Sequence, residues 1–234
     1  MIGTLYGLGL GPGDPELVTI KALRILRWVP VVAYPAPAEG HSFARSIVAS
    51  QLSPAQIEIA IPVPMVPARA PAQAVWDAGA RALAGHLNGG RDVAVLCQGD
   101  PFFYGSFIQL FERLARRYRT EIVPGVSSLT ACAAAAGSPL AVRDEALLVL
   151  PAPLSEAALE QRLAQPQSFA IIKLGRHFTK VRRVLDRLGL AERAIYIERA
   201  SLANQRILPL AAVDPADVPY FSLILCHRDL GDSE

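Results

Sequence analysis

Charge of one sign, cysteine and long apolar runs are all scarce in this chain, and each scarcity closes a class of function. Across 234 residues the formal net charge is only +2, which argues against a nucleic-acid surface that works through bulk charge. Hydrophobic residues make up 52% of the sequence, yet no apolar run approaches the ~18 residues that a membrane span requires, and much of the excess is helical alanine. The expectation is a soluble protein with no membrane partner. Cys97, Cys132 and Cys226 are odd in number, widely spaced and set in apolar segments, which suits reduced core thiols better than bridges or metal ligands. His41, His86, His177 and His227 lack metal-ligand spacing as well, so no metal site is expected. A basic leader and a cleavage site are missing from Met1 to Tyr6, which run straight into a strand, and the expected location is the cytoplasm. No internal repeat or low-complexity tract is evident.

What is present is a set of glycine-bearing turns. Val95-Leu-Cys-Gln-Gly-Asp-Pro-Phe-Phe-Tyr-Gly105 joins a buried apolar run to an amphipathic segment beginning at Phe107, so the turn falls at the carboxyl end of a strand, where open α/β sheets place small-molecule sites. Alone, Gly99-Asp100-Pro101 is equally a sharp turn with a capping aspartate. Two further turns of the same kind shift the balance: Gly7-Leu-Gly-Leu-Gly-Pro-Gly-Asp-Pro-Glu-Leu-Val-Thr19 follows the first strand, and Ile122-Val-Pro-Gly-Val-Ser-Ser128 follows a later one. Three such turns suit a sheet whose carboxyl edge receives a polar ligand through backbone groups.

In chain order, Leu5 to Leu10 reads as a strand. Asp14 reads as the N-cap of a helix that opens on Pro15 and runs to Arg27, with Leu17, Ile20, Leu23 and Leu26 on its apolar face. A second strand, Val31 to Tyr34, ends at Pro35 and Pro37, and a helix follows from Ser42 to Leu52. A third strand, Ile57 to Ile61, enters a proline run to Pro67 that reads as a stiff extended loop. A helix from Pro71 to Leu87, the strand at Val93, the helix at Phe107 and a strand from Thr120 to Val123 complete an alternation that means βαβ crossovers and a mostly parallel sheet. The small-residue helix from Ser127 to Ala136 is placed at a domain junction. Beyond it lie strands Ala146 to Leu150, Phe169 to Leu174, Ala194 to Glu198 and Phe221 to Cys226, with helices Ser155 to Leu163 and His177 to Leu188. Leu202 to Pro219 reads as a hairpin-like excursion. The fold class is therefore α/β, in two α/β domains, residues 1–124 and 125–234, with a cleft between them.

The glycine-rich start does not spell a dinucleotide fold. A Gly-x-Gly-x-x-Gly pattern fails from Gly7, where Pro12 takes the sixth place, and from Gly9, where Asp14 does; the acidic residue expected at the end of the second strand is Tyr34-Pro35-Ala36 instead. No Gly-Lys-Ser/Thr follows, which excludes a Walker loop. The spelling present is Gly-x-Gly-x-Gly-x-Gly-Asp-Pro-x-Leu-x-Thr, then Gly-Asp-Pro-x-x-Tyr-Gly, then Pro-Gly-x-Ser-Ser, each after a strand.

In this the chain resembles the tetrapyrrole methylase family, S-adenosylmethionine-dependent C-methyltransferases of corrin and sirohaem synthesis. The stretches Ile171-Ile-Lys-Leu-Gly-Arg-His177 and Tyr196-Ile-Glu-Arg-Ala-Ser-Leu-Ala-Asn-Gln205 look most like the branch that methylates precorrin-2 at C20 to give precorrin-3A. The resemblance implies a two-domain enzyme, usually a homodimer, that carries S-adenosyl-L-methionine in the interdomain cleft and releases S-adenosyl-L-homocysteine. It implies cofactor contacts at Pro12, Gln98, Gly99, Asp100, Phe103, Ser127, Ser128, Leu174 and Ala200, many through backbone atoms. Sirohaem-branch members carry an aspartate where this chain has Pro35 and a basic residue where it has Pro62-Val-Pro-Met65, so the acid and base roles of that branch do not transfer.

The substrate implied is a polyanionic macrocycle, for which Arg176 and His177, with Arg45 and Arg69, are the candidate cations. Arg182 and Arg183 fit the solvated face of a helix whose Phe178, Val181, Leu185 and Leu188 point to the core. No protein nucleophile is needed, because the sulfonium methyl is already activated. The proton acceptor is left open among Tyr104, His177, Glu198, water and the substrate's own carboxylates. Rival readings are a family member acting at another corrin carbon or on a cobalt-loaded substrate, a nicotinamide-dependent oxidoreductase, and a nucleotide-sensing module without catalysis.

Overall fold

The computed structural model describes residues 1–37, 39–63, 69–165 and 167–227, and the side chains of residues 69–71 lie outside that description. The chain divides into two compact units, Met1–Ser127 and Ser128–Glu234. Within the first unit the Gly125 N–H donates to the Asp100 carboxylate at 3.1 Å.

In the first unit the strands are β1 (Leu5–Gly9), β2 (Val31–Ala36), β3 (Ile57–Pro62), β4 (Val93–Cys97) and β5 (Thr120–Val123), and the helices α1 (Ile20–Trp28), α2 (Phe43–Ile47), α3 (Arg69–Asn88) and α4 (Phe107–Leu114). Among the described residues the strands form one sheet in the order β3-β2-β4-β1-β5, parallel throughout. Strand β4 is buried on both faces, as a central parallel strand must be. Val93, Val95 and Cys97 pack with Trp76, Leu83 and Leu87 of α3 and with Phe107 and Leu110 of α4. The intervening Ala94 and Leu96 pack with Ile25 and Leu26 of α1 and with Ile47 of α2. A two-residue period thus feeds two hydrophobic layers.

Three expectations are corrected here. Asp14 caps only the short 3-10 turn Pro15–Leu17, accepting from the Glu16 N–H at 2.8 Å. Val18 then turns extended, with ψ 129°, and is buried; Thr19 restarts the chain as the N-cap of α1, accepting from Ala22 at 3.2 Å. The break rephases the helix, so Ile20 stands 86% exposed while Ala22, Ile25 and Leu26 face the core. Second, β2 runs through Pro35 to Ala36, which is tolerated because its pairing with β4 has already stopped at Ala33↔Val95. The segment Ser42 to Leu52 is the short helix α2 followed by a 3-10 turn, Ala49–Gln51. Of the expected proline-rich loop, residues 64–67 lie outside the described residues.

The second unit holds α5 (Ser128–Ala136), β6 (Leu147–Pro151), α6 (Glu156–Leu163), β7 (Ser168–Ile172), α7 (Phe178–Arg187), β8 (Ile195–Glu198), β9 (Arg206–Pro209) and β10 (Ser222–Cys226). Among the described residues its sheet runs β6-β7-β10-β8-β9. It is mixed: β6 and β7 are parallel, while β10 lies antiparallel between β7 and β8. Leu159 and Leu163 of α6 and Phe178, Val181, Val184 and Leu185 of α7 cover one face, against Phe169, Ile171, Tyr196 and Ile224. The excursion after β8 is a hairpin: Ile195 to Glu198 pair with Pro209 to Arg206, and 3-10 turns Leu210–Ala212 and Pro215–Asp217 lead on. Cys97, Cys132 and Cys226 are free and buried; burial pushes the Cys132 thiol up to about 12, leaving it un-ionised at neutral pH.

Candidate active site

The register of the first sheet brings the three glycine turns together. Gly9 pairs with Cys97 and Leu8 with Val123, so the chain leaves β1, β4 and β5 at one edge. Just past the strands, Gly11 and Gly99 form an isolated antiparallel bridge, with the Gly99 N–H donating to the Gly11 carbonyl at 2.7 Å and the reverse bond at 3.3 Å. The third turn is pressed against both others. A Cβ on Gly125 would stand 2.2 Å from the Gly99 carbonyl oxygen and 2.8 Å from Gly9 backbone carbon, so only backbone fits where the turns meet. Asp100 locks the arrangement: Oδ1 accepts from Phe102 N–H at 2.8 Å and Oδ2 from Gly125 N–H at 3.1 Å.

Of the expected cofactor contacts, Pro12, Gln98, Gly99, Asp100 and Phe103 all sit in this clasp or directly beside it, and Ser127 follows it. Pro12 is buried and the others are half-buried. Gly99 has φ +67°, and a Cβ there would meet nothing within 4 Å; the close contacts lie around it and open space lies over it. Tyr104 is 45% exposed with φ 55°, in an edge-on contact with Phe103 at 5.1 Å between ring centroids.

In the second unit, Ile172 and Glu198 pair with the adjacent β10 residues Leu223 and Ser222, so β7 and β8 also end together. Leu174, Arg176 and His177 follow the one and Ala200 the other; Ser128 is the exposed first residue of α5. The Leu174 side chain is fully buried in the core, and its carbonyl accepts from the His177 N–H at 2.8 Å. Left-handed backbone appears at Lys173 (φ 61°), Arg199 (φ 51°) and Ser201 (φ 69°). Non-glycine residues persist there only where their surroundings hold them, a condition that clusters at functional sites. No residue pattern announces these conformations.

Electrostatics divide the candidate cations. Burial first, and then the nearby Lys180 and Arg176, lower the pKa of His177 below its ordinary value, so the ring is neutral at neutral pH and is a poor partner for a carboxylate. Arg176 is exposed. Of the α7 bases, Arg183 pairs with Glu156 of α6 at 2.8 Å and Arg187 with Glu156 at 2.8 Å and with Glu160, while Lys180 Nζ donates to the Leu154 carbonyl.

In the first unit Arg45 lines a cavity of about 310 Å³ with Tyr34, His41 and Ser42. Its guanidinium grips Glu58 through Nε at 2.6 Å and Nη2 at 2.8 Å, and the Tyr34 hydroxyl donates to the same carboxylate at 2.9 Å. The Arg45 hydrogen bonds hold Glu58 below the usual carboxylate range, so Arg45 carries its own counter-ion. The side chain of Arg69 lies outside the described residues. Glu198, a candidate proton acceptor, is 1% exposed and accepts from Tyr196 Oη at 2.5 Å and Arg199 Nη1 at 2.8 Å. Each of its two oxygens thus has a partner within the second unit.

Residues 4–214 match the profile of the family described as Tetrapyrrole (Corrin/Porphyrin) Methylases. Cobalamin biosynthesis protein CobIJ of Mycobacterium bovis is 47% identical over 231 residues, covering 95% of this chain and 46% of that protein; the chain thus spans about half the length of the first curated relatives it matches. A precorrin-2 C(20)-methyltransferase from a Sinorhizobium species is 39% identical, over 96% of this chain and 95% of its own. Among solved structures, a uroporphyrin-III C-methyl transferase from Thermus thermophilus, complexed with S-adenyl homocysteine, has a TM-score of 0.68 at 26% identity, covering 96% of this chain and 92% of that one. A family profile matched across both units, and a relative matched along almost its whole length, establish that the chain belongs to the tetrapyrrole (corrin/porphyrin) methylases.

Proposed function

We propose that the chain is an S-adenosylmethionine-dependent C-methyltransferase that methylates precorrin-2 at C20 to give precorrin-3A in cobalamin biosynthesis. Family membership and the 39% identity to a precorrin-2 C(20)-methyltransferase support the reaction. The observation that carries the reading on this chain is the clasp of three turns, with backbone packed against backbone around Gly99 and open space above it. Such a surface suits a nucleotide approached by main-chain groups.

In this reading Pro12, Gln98, Gly99, Asp100, Phe103 and Ser127 of the first unit, and Ser128, Leu174 and Ala200 of the second, contact the cofactor. Leu174 acts through its backbone, because its side chain belongs to the core. The bound cofactor supplies an electrophilic methyl group. The protein's task is then to orient an electron-rich meso carbon and to exclude water, a positioning effect worth ~7 to 11 kcal/mol in favourable cases. His177, beside the end of β7, is a candidate to take up a proton, and Arg176 is the cation that meets substrate carboxylates. The same reading makes the protein a cytoplasmic homodimer, a mass that light scattering would report.

The test is incubation with precorrin-2 and cofactor labelled in its methyl group, with NMR locating the new methyl; a parallel arm with cobalt-loaded precorrin-2 separates the two C20 routes. Label at C20 supports the proposal. Binding of NAD without binding of S-adenosylhomocysteine would reject it, and binding of the sulfur ligand without turnover on any reduced tetrapyrrole would favour a sensing module. Charge reversal at Arg176, Arg176→Glu, is expected to weaken tetrapyrrole binding about tenfold while leaving S-adenosylhomocysteine affinity within about twofold. Equal loss of both, measured by absorbance titration and calorimetry, would remove Arg176 from the substrate site.

A further inference from the structure

The loop after β8 holds left-handed backbone at Arg199 and Ser201, one on each side of Ala200. Neither residue is glycine, so both conformations run against the side chain's own preference. Two side chains hold them. Glu198 lies beneath the loop, 1% exposed, and binds Arg199 Nη1 at 2.8 Å and Tyr196 Oη at 2.5 Å; Arg206 Nη1, on the paired strand β9, stands 3.5 Å away. Gln205 reaches across from the far end: its Oε1 accepts from the Ser201 N–H at 2.8 Å. The backbone closes the same loop, with Leu202 N–H donating to the Arg199 carbonyl at 3.0 Å and Gln205 N–H to the Leu202 carbonyl at 3.0 Å. Arg199 N–H, donating to the Phe221 carbonyl at 2.9 Å, ties it to the chain entering β10.

A buried carboxylate with its cations placed on the loop and on the neighbouring strand is a device for fixing one geometry, because any other arrangement leaves a charge unpaired. We infer that Glu198 and Gln205 are positioning residues, which hold Arg199–Ser201 in the strained shape that presents the Ala200 backbone to the cofactor. The inference rests on the reading of Ala200 as a cofactor contact. Neither residue touches the reacting atoms; each acts by keeping a loop in a conformation it would otherwise leave.

The experiment compares the wild type with Gln205→Ala, Gln205→Glu and Glu198→Gln, using calorimetric titration with S-adenosylhomocysteine, steady-state kinetics in S-adenosylmethionine and urea unfolding. Removing the Gln205 acceptor is expected to weaken S-adenosylhomocysteine binding about tenfold and to raise KM for the cofactor similarly, with kcat at saturation within about twofold. Gln205→Glu, which keeps an acceptor oxygen for Ser201, is expected to restore affinity to within about twofold of the wild type. Glu198→Gln should follow Gln205→Ala; if it does not fold, the two Gln205 variants decide the matter. Wild-type affinity in Gln205→Ala, or an equal loss in Gln205→Glu, would overturn the inference while leaving the cofactor reading intact. A wild-type protein that binds no S-adenosylhomocysteine would overturn both.

Discussion

Gly125→Ala is expected to lower the stability of the first unit by about 3 kcal/mol, near the upper end of what one overpacking change imposes. The added Cβ would lie 2.2 Å from the Gly99 carbonyl oxygen and 2.8 Å from the Gly9 Cα and carbonyl carbon. These are backbone atoms in two other turns, so no side chain can swing aside to make room. Relief would require the loop after β5 to withdraw, which breaks the Gly125 N–H bond to Asp100. Binding of S-adenosylhomocysteine should be lost along with the stability. Gly85→Ala is the internal control. Gly85 is exposed on α3, a Cβ there meets nothing within 4 Å, and alanine should stabilise the helix by up to about 1 kcal/mol. Urea unfolding measures both. A Gly125→Ala protein as stable as the wild type would mean that the three turns are not in contact.

Asp100→Ala is the second large effect, and it reaches the same clasp without adding an atom. Both carboxylate oxygens are used, one by Phe102 N–H within its own turn and one by Gly125 N–H in the next. Truncation leaves two backbone donors without their charged acceptor, a loss of about 2 to 3 kcal/mol. Affinity for S-adenosylhomocysteine should fall about tenfold or more, because the turn carrying Gly99 loses its tie to the turn carrying Gly125. Asp100→Asn keeps one acceptor oxygen and should fall between wild type and Asp100→Ala in both unfolding and titration. Were Asp100→Ala to unfold at the same urea concentration as the wild type, the carboxylate would not be the joint described above.

These two residues also mark how differently parts of the molecule can be read. Gly99-Asp100-Pro101 and Pro124-Gly125 are visible in the sequence as turns at strand ends, since glycine and proline act locally. The continuous apolar run of β4 is visible too, and the alternation of strands with helices implies the parallel sheet that the register of β1, β2 and β4 bears out. The helix after Asp14, by contrast, is mis-phased when read from residue types: Asp14 caps only a 3-10 turn, the chain turns extended at the buried Val18, and Thr19 five residues on is the cap of α1. His177 and Glu198 are legible only as titratable residues near strand ends. Their surroundings, partial burial beside two cations for one and a buried network for the other, come from elements distant in sequence.

Sequence alone determined the α/β class, the three glycine turns and their place after β1, β4 and β5, because strand period and turn chemistry depend on neighbours a few residues away. It also carried the family spelling. The tertiary structure decided that Asp100 joins two turns, that Arg45 is already paired with Glu58, and that Glu198 and Gln205 restrain a strained loop. Each of these is a contact between segments whose approach is set by sheet register and side-chain packing, and a residue's type does not state which partner the fold will bring to it.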